Sequence, residues 1–146
     1  MISFSNYFDY IKTGDVYQNV INNEKLNDNI KNLVFCFIND IDVFLHDNEE
    51  IRREKIVINA FPKKQMFEII ENSQSMVHLR TSGTTGKPKK IVHSLKSLIS
   101  GTVPKKGSDN SVFGFAYSIR HISGLLLLLQ AIRWESGIVD LRNLGL

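Results

Sequence analysis

Ten consecutive residues, Thr81-Ser82-Gly83-Thr84-Thr85-Gly86-Lys87-Pro88-Lys89-Lys90, hold the densest chemistry in this 146-residue chain. Gly83 and Gly86 let the backbone turn sharply and approach a ligand closely. The hydroxyls of Thr81, Ser82, Thr84 and Thr85 can donate hydrogen bonds to phosphate oxygens. Successive backbone N–H groups in such a turn can form an anion-binding nest. Lys87, Lys89 and Lys90 add full positive charges, and charge-assisted bonds to phosphate are the strong kind. Pro88 stiffens the exit and removes one donor. The segment suits the gripping of a polyphosphate. It is not a Walker A loop, which needs four residues between the first glycine and a Gly-Lys pair, then Ser or Thr. Here only two residues separate Gly83 from Gly86, and Pro88 follows Lys87. A solvated surface turn of the same composition is the competing reading.

The charge distribution favours an anionic ligand. The net charge is +3, yet residues 1–72 carry 8 Lys and Arg against 12 Asp and Glu. Residues 73–108 carry 7 basic residues and no acid, and residues 109–146 carry 3 of each sign. A local surplus of that size attracts anions. The basic segment has His78 and His93 but no Phe, Tyr or Trp, so a stacking surface for single-stranded nucleic acid is not expected. The single cysteine, Cys36, excludes an internal disulfide and a cysteine-based zinc site, and it reads as a small core residue. No pair of histidines has metal-ligand spacing. No run reaches the roughly 18 apolar residues of a membrane span, and Met1 to Tyr10 lacks the basic cluster of a signal peptide. The expected compartment is the cytoplasm.

The elements that must position the loop follow from periodicity. Tyr17 to Asn32 has some helical character. Ile30, Val34, Phe37, Ile38, Ile41, Phe44 and Leu45 recur at steps of three and four, which predicts an amphipathic helix over about residues 28–47 with His46 at its surface end. Lys55 to Phe61 is strand-like, and Pro62 fits the first turn of a helix running to about Glu71. Met76 to Arg80 predicts a strand entering the loop, and Ile91 to His93 a strand leaving it. Leu95 to Ser100 predicts a short helix, and Val103 to Ser111 a loop. Val112 to Tyr117 reads as a strand, Ile122 to Trp134 as a helix and Ile138 to Leu141 as a strand. Strands alternating with helices predict an α/β fold with a parallel-containing sheet flanked by helices.

The segment Thr81 to Lys90 also resembles the phosphate-loop signature of the AMP-forming adenylating enzymes. These are the acyl-CoA synthetases, the adenylation domains of peptide synthetases and the luciferases. Ile91-Val92-His93-Ser94 continues it much as in that family, and Phe115 to Leu141 is similar to the family's next motif, with His121 and Gly124 at matching positions. The resemblance covers about residues 76–141. His78 and Lys90 depart from it, since an apolar residue and a glycine are usual there.

That resemblance implies a two-step reaction. A carboxylate attacks the α-phosphorus of ATP, releasing pyrophosphate, and a thiol of coenzyme A or of a carrier protein then takes the acyl group. Thr81, Ser82, Gly83, Thr84, Thr85 and Gly86 would hold the β- and γ-phosphates of ATP, which brings Mg²⁺ with it. Lys89 would offset their charge, with Lys87 and Lys90 as secondary candidates. His121 and Gly124 would line the carboxylate pocket, although a histidine at a helix start can equally serve its own backbone. His93 would support the strand after the loop. The family's later adenine, ribose and catalytic-lysine motifs do not occur in these 146 residues. The expectation is therefore an N-terminal piece of such a ligase. Residues 1–75 would be a leading segment, and residues 76–146 the loop with its strand-helix-strand, in one incomplete domain. A stand-alone ATP- or phosphate-binding module without catalysis is the alternative.

Overall fold

The computed structural model describes residues 1–3, 16–18, 21, 25–46, 53–55, 66–81, 84, 86–106 and 111–142. The described strands are β1 (Ile2–Ser3), β2 (Val16–Gln18), β3 (Val43–Phe44), β4 (Arg53–Lys55), β5 (Met76–Thr81), β6 (Lys89–Ser94), β7 (Val112–Phe115) and β8 (Gly137–Asp140). The helices are α1 (Leu26–Ile38), α2 (Met66–Glu71), α3 (Leu95–Ser100) and α4 (Ile122–Arg133). The fold is mixed α/β. One sheet runs β3-β5-β6, with β3 parallel and β6 antiparallel to β5. A second runs β1-β8-β7, with β7 and β8 parallel and joined through α4. A two-stranded ribbon pairs β2 with β4.

The core explains why these segments take these places. Leu33, Val34, Phe35, Cys36 and Phe37 are successive and all buried, so the C-terminal half of α1 is covered on most sides, while Asn27 and Asp28 in its first turn remain exposed. Val43 and Leu45, Val77 and Leu79, and Leu125, Leu128, Leu129 and Ile132 of α4 pack into the same cluster. Cys36 is a buried core residue, as its apolar neighbours predict.

The long helix expected over residues 28–47 is corrected. The helix ends at Ile38, and Val43–Phe44 is a strand. Asn39 closes the last turn with its side-chain amide on the Phe35 carbonyl at 2.9 Å, and Asp40 turns left-handed at φ 55°. The Ile41 N–H then bonds the Cys36 carbonyl. Ile41, Phe44 and Leu45 keep helical spacing by coincidence, while Val43 and Leu45 are buried with a strand's period of two. The break does structural work. Asp40 Oδ1 accepts the Gln74 N–H at 2.8 Å, and Asp42 Oδ1 accepts the Met76 N–H at 2.9 Å, holding the start of β5. His46, expected at the surface, is buried edge-on to Phe44, because β3 carries it inward beside β5.

Other bounds shift less. Tyr17 and Gln18 are strand rather than helix, paired with β4, so cross-strand bonding overrides the weak local preference. Residues 56–65 lie outside the described residues, so only Arg53–Lys55 and Met66–Glu71 speak to the expected strand and helix there. Strand β6 begins two residues earlier than expected, at Lys89, because the β5 ladder continues to Thr81. Strand β7 ends at Phe115 rather than Tyr117.

After β8, Arg142 grips Asp140 through two bonds, Nε to Oδ1 at 2.8 Å and Nη2 to Oδ2 at 2.7 Å. The hydrogen bonds from Arg142 hold the Asp140 carboxyl below the usual carboxylate range. A lowered folded-state value means the pair stabilises above the unfolded carboxylate value and loses that contribution as pH falls through the folded value. Acid titration of stability should therefore be shallower in Asp140→Asn than in the native chain below about pH 4. Identical acid profiles would show that the pair contributes nothing. The effect should be small, since both side chains remain partly exposed.

Candidate functional site

The basic loop is the tip of the β5–β6 hairpin. Strand β5 is held on both sides, by β3 and by β6, so the loop starts from a fixed base. Thr81 is the last residue of β5 and faces Lys89, the first of β6. Thr81, Thr84, Gly86, Lys87, Lys89 and Lys90 are all exposed. Ser82, Gly83 and Thr85 lie outside the described residues. Gly86 sits at φ +77°, a conformation that glycine adopts without strain, and a Cβ there would meet nothing within 4 Å. Its requirement is thus conformational rather than one of space. The loop offers hydroxyls and ammonium groups to solvent on a segment that contains no acid.

The other two candidates lie at the β7–α4 turn. His121 occupies the N-cap position of α4 and is exposed, and its side chain makes no capping hydrogen bond. Its backbone is engaged on both sides. The His121 N–H donates to the Ser118 carbonyl at 3.0 Å, and its carbonyl accepts from the Leu125 N–H at 3.0 Å. Gly124 is buried. A Cβ there would lie 2.2 Å from the Ser118 carbonyl oxygen and 3.2 Å from the Ile119 nitrogen. The first turn of α4 therefore rests directly on the backbone of the preceding turn, which only glycine permits.

A residue that periodicity did not single out ties these two regions together. Arg120 Nε donates to the Leu45 carbonyl at 3.3 Å, and the Leu45 N–H donates to the His78 carbonyl at 2.9 Å. The turn after β7 thus meets the end of β3. By register Leu45 lies level with Leu79, and β3 is parallel to β5. From that level β5 runs only two residues, about 7 Å, before reaching Thr81. The basic loop and the Arg120–His121 turn therefore share one end of the β3-β5-β6 sheet. This is the end at which the parallel strands terminate, where open α/β sheets commonly place ligands.

Behind the loop, His78 stacks on Phe44 with ring centroids 4.3 Å apart, and its Nε2 lies 3.5 Å from Asp42 Oδ2. The strand entering the loop thus carries an imidazole stacked on the Phe44 ring, with Asp42 near its edge but no hydrogen bond to Nε2 among the described residues. His93 lies opposite Val77 in the ladder and is half-buried. Among the described residues, no group of three or more His, Cys, Asp or Glu side chains could hold a metal ion. No described helix is long and apolar enough to cross a membrane. No family model, curated protein or solved structure matches the chain.

Proposed function

We propose that the β5–β6 loop grips the polyphosphate of Mg²⁺-bound ATP, as the phosphate-holding part of an adenylate-forming ligase that activates a carboxylate. The observation that carries the reading is the exposed, acid-free hairpin tip, with its hydroxyls, its left-handed Gly86 and its lysines, on a strand braced from both sides. The ligase class rests on the resemblance of residues 76–141 to the AMP-forming adenylating enzymes. In this scheme Thr81 to Gly86 hold the two phosphates that leave as pyrophosphate. Lys89 offsets their charge, with Lys87 and Lys90 beside it. His121, at the same end of the sheet, stands near the incoming carboxylate. The chain's own contribution to such a step is positioning and charge stabilisation rather than covalent chemistry. A thiol of coenzyme A or of a carrier protein is the acyl acceptor in the complete reaction.

A thermal melt with and without Mg-ATP tests the grip. Ligand at 100 times its Kd should stabilise the fold by about 2.7 kcal/mol, a shift of several degrees. A melting temperature unmoved by millimolar Mg-ATP would end the phosphate-grip reading. Carboxylate-dependent exchange of pyrophosphate into ATP, tried also with candidate partner chains, separates the ligase from a module that only binds.

A further inference from the structure

A cavity of about 390 Å³ opens between the C-terminal ends of α1 and α2. Ile38, Asp40, Glu68, Ile69, Asn72 and Ser73 line it. The first two belong to the end of α1 and its turn, the other four to α2 and the residues after it. A volume of that size falls within the range of small-molecule sites. The cavity lies at the start of β5, where Asp40 Oδ1 accepts the Gln74 N–H. The six residues of β5 put roughly 20 Å between it and the basic loop, so the two places are chemically independent.

The charges on the lining are all negative. Asp40 and Glu68 are both exposed, and no Lys, Arg or His occurs among the lining residues. Asp40 uses Oδ1 on the Gln74 N–H at 2.8 Å, and its Oδ2 has no partner among the described residues. Among the described residues, no hydrogen bond or ion pair holds the Glu68 carboxylate either. The helix ends add to this field. The last turn of α1 carries no basic residue, and neither does that of α2. The 13-residue α1 therefore presents the negative end of its dipole without the cation that commonly offsets it. The floor is apolar, since Ile38 and Ile69 are half-buried there. Two carboxylates beside two isoleucines suit a cation with a hydrocarbon body, the polar groups fixing its orientation and the apolar ones its fit.

We infer that this cavity is a binding site for a small organic cation of the alkylammonium class. Its stem lies on Ile38 and Ile69, and its head faces the Asp40 and Glu68 carboxylates. Asn72 and Ser73 close the rim. The site uses no residue of the β5–β6 loop, so it stands whether or not that loop grips a polyphosphate.

NMR titration of the full chain with n-butylammonium chloride, beside n-butanol as a neutral counterpart, tests this. The ammonium should shift the amide signals of residues 38–40 and 68–73 saturably, and n-butanol should bind about fivefold more weakly or worse. Glu68→Gln should weaken the ammonium about threefold, and the double variant Asp40→Asn, Glu68→Gln about tenfold. Asparagine at position 40 keeps an acceptor for the Gln74 N–H and tolerates the left-handed turn, so the double variant should fold. If it does not, Glu68→Gln alone, at an exposed side chain, decides. Raising ionic strength should weaken the ammonium and leave n-butanol unchanged. Equal binding of the two probes overturns the inference, as does unchanged affinity in the variants or the absence of a saturable shift at these residues.

Discussion

Gly124→Ala is expected to lower the melting temperature, although helix propensity alone argues the reverse. Position 124 lies in the first turn of α4, and alanine is favoured over glycine inside a helix by about 1 kcal/mol. The new methyl carbon would stand 2.2 Å from the Ser118 carbonyl oxygen and 2.8 Å from its carbon. Both are backbone atoms, so no side-chain rotation can relieve the overlap. Overpacking of this kind costs about 3 kcal/mol at the upper end of its usual range. The clash therefore wins by about 2 kcal/mol, or roughly 6 °C for a chain of this size. The sign is the test. A stabilised Gly124→Ala would mean that α4 does not rest on the turn before it, and the placement of Arg120 and His121 would lose its basis.

Lys89→Ala should leave stability nearly untouched and cut affinity for Mg-ATP by roughly 10- to 100-fold. Lys89 is exposed at the first position of β6, so truncation should change stability by no more than about 0.5 kcal/mol. A charge-assisted hydrogen bond to phosphate contributes about 1.5–3 kcal/mol, which sets the expected loss of affinity. Salt separates this from a packing effect. Raising ionic strength should weaken Mg-ATP binding more in the native chain than in Lys89→Ala, because exposed charges are screened. Affinity in Lys89→Ala within about twofold of native would remove Lys89 from the site. In that case the grip would fall to the backbone and hydroxyls of the loop.

The two changes probe different links of one chain of cause. Gly124 decides whether the β7–α4 turn can sit where it does, and Lys89 decides what the neighbouring hairpin tip can attract. Arg120 joins them, through the Leu45 carbonyl and the His78 carbonyl beyond it. A site shared by the loop and His121 therefore depends on a contact between residues 75 positions apart.

Local sequence determined a good deal. Small residues and Gly86 between two β-branched or apolar runs require a turn, and that turn is the tip of the β5–β6 hairpin. The absence of acids from residues 73–108 makes that tip basic whatever the fold around it. The helix Ile122–Arg133 and the strand Gly137–Asp140 follow from periods of 3.6 and 2. These features depend on neighbours within a few positions, so a linear reading reaches them. Where the chain leaves α1 is different. Ile41, Phe44 and Leu45 fit a helical face as well as a strand, and the choice falls to Asp40 and Asp42, whose carboxylates bond the start of β5 more than thirty residues away. The burial of His46 follows from that choice. The pairing of Thr81 with Lys89 and the reach of Arg120 to Leu45 belong to the same class. Each depends on register or on the meeting of separate elements, and a one-residue slip would turn every side chain of β6 to the other face. Tertiary packing alone decides such contacts, because the free energy that selects them comes from partners distant along the chain.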